Sequence, residues 1–256
     1  MNQDQTPNQG QTPFSVLLIE DRSAVRILTM NRPENRNALN SELTQALLDS
    51  FKNAHEDASV GCVVLTGAGQ GFCAGADLSE FKGLQDPQAA DTRAELTMQL
   101  HLAFSRISKP VVTAINGAAM GGGAGLAIAG DLAVMAEGAK LGYPEAKHGI
   151  VAAIVMANLV RQVGRKAAFE LVALGEPIDA AQALRLGMVN RVVSPEEVLQ
   201  EAMRLAEKLA ALARPAMAET KRLFHEVADL ALEPALARGR DTNRRMRNFD
   251  KLGAKK

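Results

Sequence analysis

Tryptophan is absent from these 256 residues, tyrosine occurs once, and only four histidines and two cysteines are present. So few aromatic rings exclude a stacking platform for single-stranded nucleic acid. Basic and acidic residues balance at 29 each, so no global field draws the chain to nucleic acid or to an anionic membrane. Neither is an expected partner. Cys62 and Cys73 make no CxxC or Cys/His cluster, and His55, His101, His148 and His225 carry no ligand spacing, so no metal is expected. The two thiols read as reduced, buried side chains of a cytoplasmic protein. No apolar run reaches transmembrane length. Met1 to Pro13 is polar, without Arg or an apolar h-region, and is expected to be a disordered tail rather than a leader peptide.

What remains is ordinary globular material, 47% apolar and 23% charged. Val16–Ile19 and Val25–Met30 read as strands around a turn at Glu20-Asp21-Arg22-Ser23. Asn40 is placed to N-cap a helix with Glu42 in its first turn and Leu43, Leu47, Leu48 and Phe51 on one face. Cys62–Thr66 is a short apolar run of the kind found in buried parallel strands. The order then repeats: a helix near 94–107, the strand Val111–Ile115, a helix beginning at Gly121-Gly122-Gly123, and the strand Leu132–Met135. Such succession predicts an α/β fold with parallel pairing. Beyond Val189–Val193 only helical patterns follow, over 198–212, 217–230 and 232–247. The expected division is an α/β core over 14–194 and an all-helical region over 195–256.

Two glycine-rich junctions stand out, Gly71-Phe72-Cys73-Ala74-Gly75-Ala76-Asp77-Leu78 and Asn116-Gly117-Ala118-Ala119-Met120-Gly121-Gly122-Gly123-Ala124-Gly125. Small residues let backbone approach a ligand, and free amides at a turn or helix start can donate to an anion. Two amides converging on one oxygen make an oxyanion hole, where each donor contributes about 3–4 kcal/mol to the transition state. Neither junction fits the dinucleotide fingerprint, since the sixth positions counted from Gly67 and Gly121 are Phe72 and Leu126. Taken singly, each junction could also be turn chemistry alone.

Taken in order, they resemble a known family. Asn31-Arg32-Pro33 with Asn37-Ala38-Leu39-Asn40, the two junctions, Asp131-Leu132, Tyr143-Pro144-Glu145, the Gly149-Ile150 region, Leu186-Gly187-Met188-Val189 and Lys221 follow the order and spacing of the crotonase (enoyl-CoA hydratase/isomerase) family. The resemblance spans roughly residues 14–230. It implies a crotonase-like spiral of ββα units with a C-terminal all-helical trimerisation region, a homotrimer or homohexamer, and an acyl-CoA thioester as substrate. No separate cofactor is implied, because coenzyme A belongs to the substrate. By that similarity the Ala76 and Gly122 amides form the oxyanion hole. Arg36 and Lys221 lie near CoA phosphates, and the backbone at Cys73 and Ala74 meets the adenine.

The family's hydratases carry two glutamates. The corresponding positions here are Gly125 and Glu145, so one carboxylate is missing. Glu145 is the candidate general base or acid, with a pKa raised by an apolar setting. The isomerases' alternative acid position is Ala153. The expected activity is reversible water addition to a 2-enoyl-CoA. Δ3,Δ2-enoyl-CoA isomerisation by Glu145 alone is the alternative, and non-catalytic binding of a CoA thioester or RNA a second one. His148 is expected at solvent or against a neighbouring subunit, Asp77 and Asp131 as structural acids, and Cys73 as no nucleophile.

Overall fold

The computed structural model describes residues 15–81 and 86–247. The tail at 1–13 and the terminal lysines Lys251, Lys255 and Lys256 lie outside them. Strands β1 (Leu17–Arg22) and β2 (Val25–Met30) form an antiparallel hairpin in register from Leu17↔Met30 to Arg22↔Val25. The turn is tighter than the sequence suggested, with Ser23 at φ 54, because Glu20, Asp21 and Arg22 stay in the strand. Polar side chains are at ease there, since β1 is a sheet edge and points them at water. Arg22 pairs with Glu20, and Arg26 with Asp21 and Asp57.

Helix α1 (Ser41–Glu56) starts where expected, the Asn40 side chain accepting from the Leu43 amide. The chain continues through β3 (Cys62–Gly67), β4 (Gly71–Cys73), α2 (Leu78–Phe81) and α3 (Pro87–Arg106). Next come β5 (Val111–Ile115), β6 (Ala118–Met120) and α4 (Gly122–Ala129). They are followed by β7 (Leu132–Ala136), β8 (Lys140–Gly142) and α5 (Ala153–Leu174). The remainder is β9 (Ile178–Asp179), α6 (Ala180–Arg185), β10 (Arg191–Val193), α7 (Val198–Ala210), α8 (Arg214–Val227) and α9 (Leu232–Met246).

Two sheets result, one of six strands in the order β1-β2-β3-β5-β7-β10 and one of four in the order β4-β6-β8-β9. Beyond the β1–β2 hairpin the larger sheet is parallel throughout. Each of β3, β5 and β7 hands the chain to a short strand of the smaller sheet, which then leads to helix. This is the ββα spiral. The short strands escape a periodicity reading because Gly71–Cys73, Ala118–Met120 and Lys140–Gly142 are three residues each, too few to show an alternation. Helix α5, which no expectation covered, is bent at Gly164, whose φ of 75 interrupts it.

β3 and β5 are buried along their whole length, which explains their unbroken apolar sequence. Phe51 of α1 meets Phe104 of α3 with ring centroids 4.7 Å apart, joining those helices. Helix α7 packs Val198, Ala202, Met203, Ala206 and Ala210 against β3, β5 and β7. Fully burying a side chain such as its Val or Met stabilises by about 1.5–3 kcal/mol. Helices α8 and α9 contrast with it, Lys221 and Thr242 being their only buried residues.

Candidate active site

The asparagine motifs turn out to be fasteners. Asn37, buried at φ 55, accepts from the Arg32 amide and donates to the carbonyls of Ala68 and Gly71. Asn116 donates to the Gly69 carbonyl at 3.0 Å and accepts from the Gly67 amide at 3.3 Å. Together they hold the ends of β3 and β5 against the start of β4. Arg32 adds an ion pair to Asp77 at 2.9 Å, and Asp77 accepts from Ser79, which with that cation holds its carboxyl below the ordinary range.

These fasteners bring the glycine junctions into contact. Gly75 has φ 93, and a Cβ there would lie 2.7 Å from the Met120 carbonyl oxygen. No other residue type allows that approach. The Gly75 carbonyl and the Asp77 amide are spent on Leu39, at 2.7 and 3.1 Å, so the Ala76 amide between them faces the opposite way. Gly122 opens α4, where first-turn amides have no intrahelical partner. A Cβ on Gly122 would come within 3.8 Å of the Ala76 nitrogen. The two amides named from the sequence therefore stand side by side.

Glu145 sits on the 3-10 turn Pro144–His148, its carboxylate reaching the same place. A Cβ on Gly121 would lie 2.8 Å from Glu145 Oε1. Glu145 Oε2 is buried with no hydrogen-bond partner. Desolvation raises the Glu145 pKa, outweighing a backbone hydrogen bond and the nearby His148, which both lower it. Tyr143 is wholly buried, and its hydroxyl too lacks a partner. Burial, and secondarily the charge of Glu145, push that phenol upward.

Gly125, the position without its acid, is packed rather than empty. A Cβ there would stand 2.3 Å from Val155 Cγ1 and 2.7 Å from His101 Cε1. His101 comes from α3, and its Nε2 is a further buried atom without a partner. The sequence left His101 among scattered histidines. The signal that could have found it was the hole implied by Gly125, which some neighbour must fill.

Of the other expected ligand-binding residues, Arg36, Cys73 and Ala74 come together. The Ala74 amide donates to the Arg36 carbonyl at 2.9 Å, and the exposed Arg36 lies on the rim of the β4 loop. Lys221 does not join them. It is 5% exposed, and its Nζ donates to Asp131 Oδ2 at 2.7 Å and to the Lys109 carbonyl at 2.9 Å. Every reason to place it at a phosphate is answered by that buried pair, so its role is corrected to a structural one. Asp131 also accepts from the Val111 amide at 2.7 Å and faces His225 Nε2 at 3.3 Å, as befits a structural acid. His148 is exposed. Cys73 is fully buried and its thiol pushed up to about 12 by desolvation, so it presents backbone only.

The sequence profile of the family described as "Enoyl-CoA hydratase/isomerase" matches residues 20–254. The chain belongs to that family. A Thermus thermophilus relative, provisionally named an enoyl-CoA hydratase, is 41% identical over 83% of this chain and 85% of its own. The 2,3-dehydroadipyl-CoA hydratase of Escherichia coli is 35% identical over 89% of this chain and 88% of its own. Among solved structures, an enoyl-CoA hydratase from Polaromonas sp. JS666 superposes with a TM-score of 0.88 at 32% identity, covering 93% of each chain. A monofunctional enoyl-CoA isomerase from M. smegmatis superposes at 0.75 with 31% identity, covering 87% of this chain and 98% of that one. As an enzyme of the hydratase/isomerase family, the chain has the crotonase spiral. Among the described residues no helix is long and apolar enough to cross a membrane.

Proposed function

We propose that this enzyme stabilises the enolate of an acyl-CoA thioester and catalyses reversible water addition to a 2-enoyl-CoA, with Glu145 as its acid/base. The observation that carries the reading is the unpaired, buried Oε2 of Glu145, held one residue from the amide of Gly122. A carboxylate that costs this much to bury is in place to exchange a proton, because its raised pKa narrows the gap to neutral pH. The thioester oxygen would receive the Ala76 and Gly122 amides, which strengthen as charge develops on it. Water oxygen bonds to the β-carbon, one water proton passes to Glu145, and the same proton returns to the α-carbon as the enolate collapses. Arg36 and the backbone at Cys73 and Ala74 would contact the coenzyme A portion. The exposed apolar side chains Phe224, Leu232 and Leu236 on α8 and α9 support assembly into a homotrimer or homohexamer.

One observation favours a second reading. Gly125 leaves no room for another carboxylate, and Δ3,Δ2-isomerisation needs a single base that removes an α-proton and returns it at the γ-carbon. Turnover of crotonyl-CoA in heavy water, with Glu145→Gln alongside, separates the two by product mass. Water addition lost in the variant supports hydration. Conversion of a 3-enoyl substrate to its 2-enoyl isomer with deuterium at the γ-carbon and no water addition supports isomerisation, and ligand binding with no turnover, unchanged in Glu145→Gln, sinks both.

A further inference from the structure

Helix α3 sets a second polar group, His101, against α4 a turn along from the Glu145 position, and it is not a carboxylate. We propose that His101 is a catalytic residue of this site, its Nε2 holding the water that adds to the β-carbon. The inference rests on the hydration reading above.

The geometry comes from α4. Gly121 and Gly125 are joined by a backbone hydrogen bond of 3.0 Å, one helical turn apart. A Cβ on the first would touch Glu145 Oε1, and a Cβ on the second would touch His101 Cε1. The carboxylate and the imidazole therefore stand against the N-cap and the first turn of one glycine-lined helix, four residues or roughly 6 Å apart along its axis. One water spans such a gap with two hydrogen bonds of about 2.8 Å. Both groups have an atom free for it, since Glu145 Oε2 and His101 Nε2 are buried without partners. Buried polar atoms are otherwise almost always paired, so two orphans flanking one helix face point to a ligand between them.

Glycine at 125 is what admits the ring, because any side chain there would collide with it. Val155 closes the other side of Gly125. Burial holds the imidazolium down to about 4, so the ring is neutral at physiological pH. A neutral imidazole offers one donor and one acceptor nitrogen, which suits a water that is both activated and oriented. Here it accepts from the water proton that stays with the product hydroxyl. The other proton follows the route through Glu145 to the α-carbon, so His101 ends the cycle as it began.

The test separates water addition from proton abstraction. Hydration of crotonyl-CoA and deuterium wash-in at the α-carbon of butyryl-CoA are measured for the wild-type enzyme, His101→Leu, His101→Gln and Glu145→Gln. His101→Leu is expected to lose about 100-fold in hydration while α-exchange stays within about threefold of wild type. His101→Gln, which keeps a polar group at the same reach, recovers part of the loss. Should His101→Leu melt early, His101→Met gives the same comparison with a longer, flexible apolar chain. Equal loss of both reactions in a folded variant, or loss of neither, overturns the assignment. So does a wild-type enzyme that exchanges α-protons and adds no water. Retained exchange in Glu145→Gln overturns the underlying reading instead, whatever His101 does.

Discussion

Two half-buried carboxylates in this fold meet opposite fates. Asp131 has the Val111 amide, Lys221 and His225 gathered on it. Glu145 has an oxygen with nothing on it. Burial pushes both pKa values up, but at Asp131 the bond from His225, the charge and bond of Lys221 and the Val111 amide reverse the sign. The first acid is spent on holding α8 to the larger sheet. The second is kept unspent beside two free amides. Unsatisfied groups mark where the molecule expects something else to bind. Four buried side-chain atoms among the described residues lack a partner, and Tyr143, His101 and Glu145 supply three of them. The fourth, Arg93 Nε, has Glu80 Oε2 3.5 Å away.

The comparison breaks most visibly at Glu145. Glu145→Gln should lower kcat/KM by about 10³-fold and, because it removes a desolvated carboxylate with one oxygen unpaired, should leave Tm unchanged or higher. The sign follows from the raised pKa: ionised Glu145 costs stability above that pKa, and the cost fades as pH falls through it. The gain in Tm should therefore shrink in acid, and the acidic limb of the rate profile should lie above the ordinary carboxylate range. A fall in Tm at neutral pH would mean that Glu145 has a partner after all.

Gly75→Ala comes next. It forces a Cβ to 2.7 Å from the Met120 carbonyl, at a φ of 93, and so prises the Ala76 amide away from Gly122. A kcat loss of about 10²-fold is expected, measured beside a KM that changes much less.

Lys221→Met probes the other acid. Leaving Asp131 buried without its cation should cost about 3 kcal/mol in a denaturant titration, with KM for the acyl-CoA within about twofold of wild type. The loss should lessen as pH falls, because a depressed Asp131 contributes stability above its unfolded pKa and loses it on protonation. A large rise in KM with stability intact would restore the phosphate contact that the structure removes.

Much of this was legible beforehand. Strands β3, β5 and β7 announce themselves as short apolar runs, and Asn40 as a cap, because burial on both faces and an orphaned helix start leave direct marks on sequence. The small residues at 75, 76, 121 and 122 could be read as close backbone approach. The strands β4, β6 and β8 could not, since three-residue pairings carry no period. Lys221 was set near phosphate by resemblance alone, because a lysine in an amphipathic helix reads alike whether it meets phosphate or a half-buried aspartate 90 positions away. His101 was invisible because its meaning lies in what Gly125 lacks.

The two cysteines have a use beyond packing. Cys62 lies in the larger sheet and Cys73 in the smaller one, both with no exposed surface and both thiols pushed up to about 12. Each is therefore closed to alkylating reagents until its own sheet opens, so pulse labelling followed by peptide mass mapping times the two openings separately. If Cys73 labels first, the layer carrying the glycine junctions breathes on its own. If both label together, the spiral unfolds as one cooperative unit.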